Sequence, residues 1–187
     1  MKAKELFFAT SNEAKFREIS EIASTYGLKV KLARLRTVEI QHESLVEIAR
    51  YSLRQALRRV RAPVFVEDAG LFIEALNGFP GPYSSHAYKT LGVRGILKLL
   101  EGVEDRRAYF LSAIAFGGPG FRVKVFTGKI SGVIALEARG ESGFGFDPIF
   151  KPEGCSQTFA EMGVEGKNKY SHRAKAFRSL AEWLLEA

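Results

Sequence analysis

Short apolar segments alternate with amphipathic segments along the first part of the chain. Three runs have the length and pattern of strands: 6–9, 28–32 and 64–66. Between them the sequence predicts a helix over 13–26, ended by Gly27, and a second helix that begins at a capping box, Ser44-x-x-Glu47. Alternating strands and helices are typical of α/β domains, in which helices cover a sheet.

The second half of the chain adds a hairpin to this pattern. The sequence predicts short helices over 84–90 and 93–100, long strands over 108–116 and 121–134 joined by Gly117–Gly120, and a last helix after Ser171. These elements predict an α/β fold with a mixed β-sheet flanked by helices. No repeat or linker interrupts 1–187, so we expect a single domain.

Composition limits the class of protein further. No apolar run approaches the roughly 20 residues of a membrane span, and no signal peptide is visible. One cysteine, Cys155, cannot form an internal disulfide, which favours a cytoplasmic protein. The net charge of +7 suggests an anionic partner such as nucleic acid, a membrane surface or a phosphorylated small molecule. Arg50, Arg54, Arg58 and Arg61 recur at helical spacing, and a solvated helix face is their simplest interpretation.

Two segments are candidates for binding phosphate and metal. Thr10–Lys15 lies where a buried strand turns into a helix, and free backbone N–H groups at such a junction attract anions. Taken alone, the segment is more simply explained as an ordinary capped helix with a surface lysine. Glu67 and Asp68 end an apolar strand before Gly70, which suits either a local turn or the carboxylate ligands that Mg²⁺ prefers.

Two further segments suggest a planar anionic ligand. The loop 140–148 holds three glycines, two phenylalanines and Asp147, and an aromatic ring on such a loop can stack on a base. Residues 167–173 are rich in hydrogen-bond donors, although a lone histidine such as His172 is usually an ordinary residue of a helix start.

Five motifs in order resemble the inosine triphosphate pyrophosphatase family, and the match covers nearly the whole chain. They are Ser-Asn-x-x-Lys at 11–15, Glu-Asp-x-Gly-Leu at 67–71, Phe-Pro-Gly-x-Tyr-Ser at 79–84, Gly-Phe-Gly-x-Asp-Pro at 143–148 and Ser-His-Arg at 171–173. The resemblance implies an elongated mixed sheet, a deep substrate cleft and a homodimer.

The resemblance also implies roles at the phosphate end of a substrate. Thr10, Ser11, Asn12 and Lys15 would hold the triphosphate. Asp68 would bind Mg²⁺ and accept the proton of the attacking water, with Glu39 as a second metal ligand and Glu67 as a possible accessory. Ala69 stands where relatives commonly carry Ser or Thr, so a contact there would use its backbone.

At the base end, the resemblance implies that Phe144 stacks on a purine. Gly145 and Phe146 belong to the same binding loop, and Phe146 stands where Tyr or Trp is common. The residues expected to read or surround the base and sugar are Asp147, Lys167, His172 and Arg173.

The implied reaction is hydrolysis of ITP, dITP or XTP to a nucleoside monophosphate and pyrophosphate. Two alternatives stay open at this point. One is a related pyrophosphatase for other modified nucleotides, and the other is a non-catalytic nucleic-acid-binding module, which would leave Glu39 and Asp68 without a purpose. Under the implied function the partner is a small nucleotide, with no nucleic acid or membrane.

Overall fold

The structure, a computed structural model that describes residues 4–35, 38 and 40–186, contains a seven-stranded mixed sheet within these residues. Its strands are β1 Glu5–Ala9, β2 Lys29–Ala33, β3 Val64–Ile73, β4 Pro80–Gly81, β5 Arg107–Gly118, β6 Phe121–Ile134 and β7 Phe150–Pro152. The order is β2-β1-β3-β5-β6-β7, with β4 paired to β3. β1 runs parallel to β2 and β3, whereas β4 and β7 run antiparallel to their neighbours. The predicted mixed α/β fold is confirmed.

Six α-helices accompany the sheet in the described part of the chain: α1 Glu13–Thr25, α2 Leu45–Leu57, α3 Ser84–Thr90, α4 Gly92–Leu99, α5 Phe159–Tyr170 and α6 His172–Glu186. None of these helices is long and apolar enough to cross a lipid bilayer. Two short 3-10 helices, Glu74–Leu76 and Asp147–Ile149, precede β4 and β7.

The chain divides into two compact units, each with its own apolar core. Unit 1 comprises the described residues up to Asp68, Ser112–Gly128 and those from His172 onward. In its core α1 and α6 pack together, and the rings of Phe8 and Phe65 stack with centroids 4.6 Å apart. The burial of these large rings provides much of the driving force for folding.

Unit 2 comprises Ala69–Leu111 and Lys129–Ser171. Its core contains a second group of aromatic rings. Phe110 contacts Phe150 edge-to-face, and the ring centroids of Phe150 and Phe159 are 5.1 Å apart. The boundaries between the units fall within β3, β5 and β6. The single-domain expectation stays a prediction.

Three local features differ from the sequence prediction. α2 begins after Ser44 as expected, but the capping box does not form, because the Ser44 N–H donates to His42 Nδ1 and Glu47 binds Arg50. β3 continues through Gly70 instead of turning, because Leu71 and Phe72 pair with β4. α5 was not predicted at all, although Thr158 and Glu161 form a complete capping box at its start.

Candidate functional site

The junction between β1 and α1 is an ordered helix start. Asn12 caps α1, since its Oδ1 accepts the Lys15 N–H at 3.0 Å, and Thr10 Oγ1 accepts the Asn12 N–H at 3.1 Å. Ser11 is exposed between them. These side chains fix the loop in the shape that presents the positive end of the helix dipole.

Glu67, in β3, contacts three polar or charged side chains of unit 1. Its carboxylate is buried, with Lys15 Nζ 2.8 Å from Oε2 and Arg173 Nε 3.1 Å from Oε1. Ser112 Oγ donates a hydrogen bond to Oε1 at 2.7 Å. Burial alone would raise the pKa of Glu67, but the charges of Arg173 and Lys15 and this hydrogen bond outweigh it and hold the pKa well below its ordinary value. Glu67 is therefore ionised at neutral pH.

Arg173 also forms an ion pair with a second carboxylate, that of Glu18. Its Nη1 lies 2.5 Å from Glu18 Oε2, and both side chains are almost fully buried. Lys15, Glu67, Arg173 and Glu18 thus form a buried ion-pair chain that joins α1, β3 and α6. Two cations balance two anions, which is the condition under which charges are tolerated inside a protein.

Asp68 follows Glu67 in β3 and points to the opposite face of the strand, since successive side chains alternate. It is partly exposed, unlike Glu67. One carboxylate together with phosphate oxygens suits Mg²⁺, which keeps several waters and needs few protein ligands. Glu39, the predicted second ligand, lies outside the described residues. In the ranges that the structure describes, no group of three or more His, Cys, Asp or Glu side chains is placed to hold a metal.

In unit 2, Asp147 orders the glycine-rich loop. Its Oδ2 accepts the Phe144 N–H at 2.9 Å and lies 2.7 Å from Lys167 Nζ. A Cβ on Gly143 would lie 2.2 Å from the same oxygen, so only glycine permits this approach. Lys167 Nζ is also 4.7 Å from the centroid of the half-buried Phe144 ring, within cation–π range. The structure thus brings together three predicted base-binding residues.

The Phe146 ring lies in the core of unit 2. The resemblance implies that Phe146 belongs to the binding loop, and the structure shows that its ring is 3% exposed and packs edge-to-face with Tyr88. After Gly145, which has a φ of 65°, the chain directs Phe146 inward while Phe144 stays half-buried. Any contact of Phe146 with a ligand would therefore use its backbone.

Most of the predicted donor patch at 167–173 is buried. Lys167, Asn168, His172 and Arg173 are buried, and Lys167 and Arg173 are bound to carboxylates. His172 begins α6, and Ala69 is half-buried at the centre of β3.

Sequence reasoning missed Glu18 and Ser112. Glu18 had a usable signal, because it precedes Ile19 and lies four residues before Ile22 on the buried side of α1. A glutamate there needs a cationic partner. Ser112 had no such signal, since a small polar residue in an apolar strand is common.

Comparison with known proteins identifies the family. The sequence model of the Ham1 family matches residues 6–183. The chain belongs to the Ham1 family. A Ham1 protein from Coxiella burnetii has the same fold, with a TM-score of 0.83 and 32% identity over 98% of this chain and 99% of that one. The Ham1 protein of Staphylococcus aureus gives a TM-score of 0.82 with 30% identity over the same shares of the two chains.

Several sequence relatives of this Ham1 protein have higher identity than these two structures. A dITP/XTP pyrophosphatase from Hyperthermus butylicus is 53% identical over 98% of this chain and 96% of its own length. A dITP/XTP pyrophosphatase from Methanopyrus kandleri is 54% identical over 95% of each chain. The resemblance drawn from the five motifs is confirmed.

Proposed function

We propose that this Ham1 protein hydrolyses the non-canonical purine nucleoside triphosphates dITP, ITP and XTP to the monophosphate and pyrophosphate. Two relatives that match this protein over nearly the whole chain are named dITP/XTP pyrophosphatases. The observation that carries the proposal is in unit 1. The ammonium group of Lys15 lies in the first turn of α1 and is bound by Glu67, and the carboxylate of Asp68 follows Glu67 in β3. This combination suits a polyphosphate and a hard cation.

At the phosphate end, Thr10, Ser11 and Asn12 present the helix start to the triphosphate and Lys15 supplies positive charge. Asp68 accepts the proton of the water that attacks the α-phosphorus. The bond from that phosphorus to the bridging oxygen breaks, and pyrophosphate leaves. Asp68 and Glu39 would hold Mg²⁺ together with phosphate oxygens, and the bound ion would neutralise charge on the phosphates.

At the base end, Phe144 stacks on the purine. Asp147 and Lys167 fix the loop that carries it, and together with the backbone at Gly145 they surround the base and sugar. Hypoxanthine and xanthine have an oxygen acceptor at position 6, where adenine has an amino donor. Cationic donors therefore favour the former, and one mismatched buried group costs about 1–3 kcal/mol.

We also propose that the protein is cytoplasmic, as is usual for a chain whose one cysteine cannot form an internal disulfide. We further propose that it forms a homodimer. Light scattering on the eluting protein tests the assembly: a mass near 41.6 kDa, twice the chain's 20.8 kDa, supports the dimer. A mass equal to one chain contradicts it.

The activity is tested by a turnover panel with Mg²⁺ on ITP, dITP, XTP, ATP, GTP and CTP. We expect pyrophosphate and the monophosphate from the first three, with the ordinary nucleotides slow. Hydrolysis in ¹⁸O-water locates the attack, because label in the monophosphate means attack at the α-phosphorus. Label in pyrophosphate would move the attack to the β-phosphorus, and release of orthophosphate would refute the proposed cleavage.

The role of Asp68 is tested by Asp68→Asn, which keeps the size of the side chain and removes its charge. We expect turnover to be abolished with the fold intact. Asp105→Asn is the matched control, since Asp105 is an exposed acid paired with Arg107, and it should leave turnover unchanged. A near-native rate for Asp68→Asn would remove Asp68 from its assigned role.

A further inference from the structure

The backbone of α5 is broken at Gly163. Its φ of 67° and ψ of −179° are not helical, so two helical segments meet there within Phe159–Tyr170. This region of backbone conformation is accessible essentially to glycine alone among L-residues, and such residues cluster at ligand-binding sites. A Cβ at this position would meet no described atom within 4 Å, so space does not require a glycine. The backbone conformation does.

The two helical segments on either side of Gly163 make different contacts. The first is anchored by the capping box of Thr158 and by Phe159 and Ala160, which are buried in the core of unit 2. The second carries Lys167, whose Nζ binds Asp147 and lies 5.5 Å from the Phe159 ring. A straight helix would separate residues 159 and 167 by about 12 Å along its axis. The kink at Gly163 allows the second segment to take a different direction from the first.

We propose that Gly163 is a positioning residue for base recognition, an inference that rests on the proposed function. Gly163 sets the direction of the second segment and hence the place of Lys167. Lys167 binds Asp147, and Asp147 holds the Phe144 N–H, so the position of the stacking ring depends on Gly163. An L-residue at 163 either keeps a strained backbone or rotates to a negative φ and moves Lys167.

Chirality gives a direct test of this dependence. A D-alanine at φ 67° and ψ −179° corresponds to the mirror-image extended region that L-residues occupy freely, so it fits without strain. Gly163→Ala and Gly163→D-Ala add the same methyl group and differ only in the backbone conformation that they allow. A loss caused by the methyl group itself would affect both proteins equally.

The chain permits this experiment because its single cysteine, Cys155, follows Gly154. Residues 1–154 are produced as a thioester and joined to synthetic 155–187 carrying Gly, Ala or D-Ala at position 163, and the three full chains are then refolded. We expect Gly163→Ala to raise the KM for ITP by about 10- to 100-fold with a smaller change in kcat, as for loss of a charged hydrogen bond. Gly163→D-Ala should stay within about twofold of the glycine protein.

A second readout separates this inference from the proposed function. Hydrogen exchange of the Phe144 amide reports its bond to Asp147 without turnover. It should accelerate in Gly163→Ala and not in Gly163→D-Ala. If the glycine protein does not hydrolyse ITP, the proposed function fails while the exchange result still decides the inference. Equal KM and equal exchange in the two alanine proteins would overturn it.

A recombinant control excludes a general effect of stability. Gly102 has a φ of 73° and open space at Cβ, and it is exposed in unit 2. Gly102→Ala should lower stability as any L-residue at a positive φ does, and leave the KM for ITP unchanged. A rise in KM for Gly102→Ala equal to that of Gly163→Ala would attribute the effect to destabilisation and contradict the proposal.

Discussion

Replacing Glu67 with glutamine tests the buried ion-pair chain. Glu67→Gln keeps the shape of the side chain and leaves Lys15 and Arg173 without the carboxylate that lies 2.8 and 3.1 Å from them. Removing one partner of a buried ion pair costs about 3–5 kcal/mol, because the remaining charge stays desolvated. The total free energy of unfolding of a domain is about 5–15 kcal/mol, so this loss is large.

Urea unfolding followed by tryptophan fluorescence measures this loss in the relevant unit. Trp183 is the only tryptophan, and it packs on Phe116 in unit 1. Glu165→Gln is the matched control, since the Glu165 side chain is 92% exposed and its ion pair with Lys169 is long at 4.0 Å. The control should change the free energy of unfolding by less than about 0.5 kcal/mol.

The difference between wild type and Glu67→Gln should also depend on pH. The pKa of Glu67 is lower in the folded than in the unfolded protein, so its stabilisation is fully present above the ordinary pKa of 4.5 and is lost as the pH falls. Each pH unit below that value removes about 1.4 kcal/mol. The difference should shrink by about 2 kcal/mol between pH 5 and pH 3. A loss below 1 kcal/mol at pH 7, or a difference that does not change with pH, would refute this reasoning.

Three further changes test separate parts of the molecule. Lys15→Ala should raise the KM for ITP with a smaller change in kcat, measured by steady-state kinetics against the exposed control Lys169→Ala; an unchanged KM would remove Lys15 from the site. Phe144→Ala should raise the same KM by about 10- to 100-fold, since stacking on a base is worth about 1–3 kcal/mol, and an equal KM would contradict stacking. Thr158→Ala removes the cap of α5 and should cost about 1–2 kcal/mol in urea unfolding; a stability equal to wild type would show that the capping box contributes nothing.

The strands and helices with strong periodicity were predictable from the sequence. β1, α1 and the β5–β6 hairpin lie within a residue or two of their expected bounds, because β1, α1 and β5 have regular apolar patterns and α1 ends at Gly27. α5 was missed because Gly163 and Gly166 interrupt its periodicity. Its start was nevertheless visible as Thr158-x-x-Glu161, the same type of signal that located α2.

The sequence is sufficient to propose candidate site residues but not to predict their contacts. The motifs identified Lys15, Asp68, Asp147 and Lys167, whereas local patterns do not show that Glu67 binds a residue 106 positions later. Likewise, the local sequence does not show that the Phe144 and Phe146 rings have different surroundings. In the structure the Phe146 ring packs in the core of unit 2, whereas the Phe144 ring is half-buried.

The adjacent carboxylates of β3, Glu67 and Asp68, lie in different environments. Glu67 is enclosed, and together with Glu18 it cancels the charges of Lys15 and Arg173, so the buried ion-pair chain adds no net charge to unit 1. Asp68 faces the other side of the strand and is partly exposed. Of the four residues in the chain of ion pairs, Lys15 has the most accessible side chain, at 17%, whereas the other three are at most 3% exposed. An anion can therefore approach the chain of ion pairs at its Lys15 end, where Glu67 already fixes the ammonium group and removes part of the entropic cost of holding it.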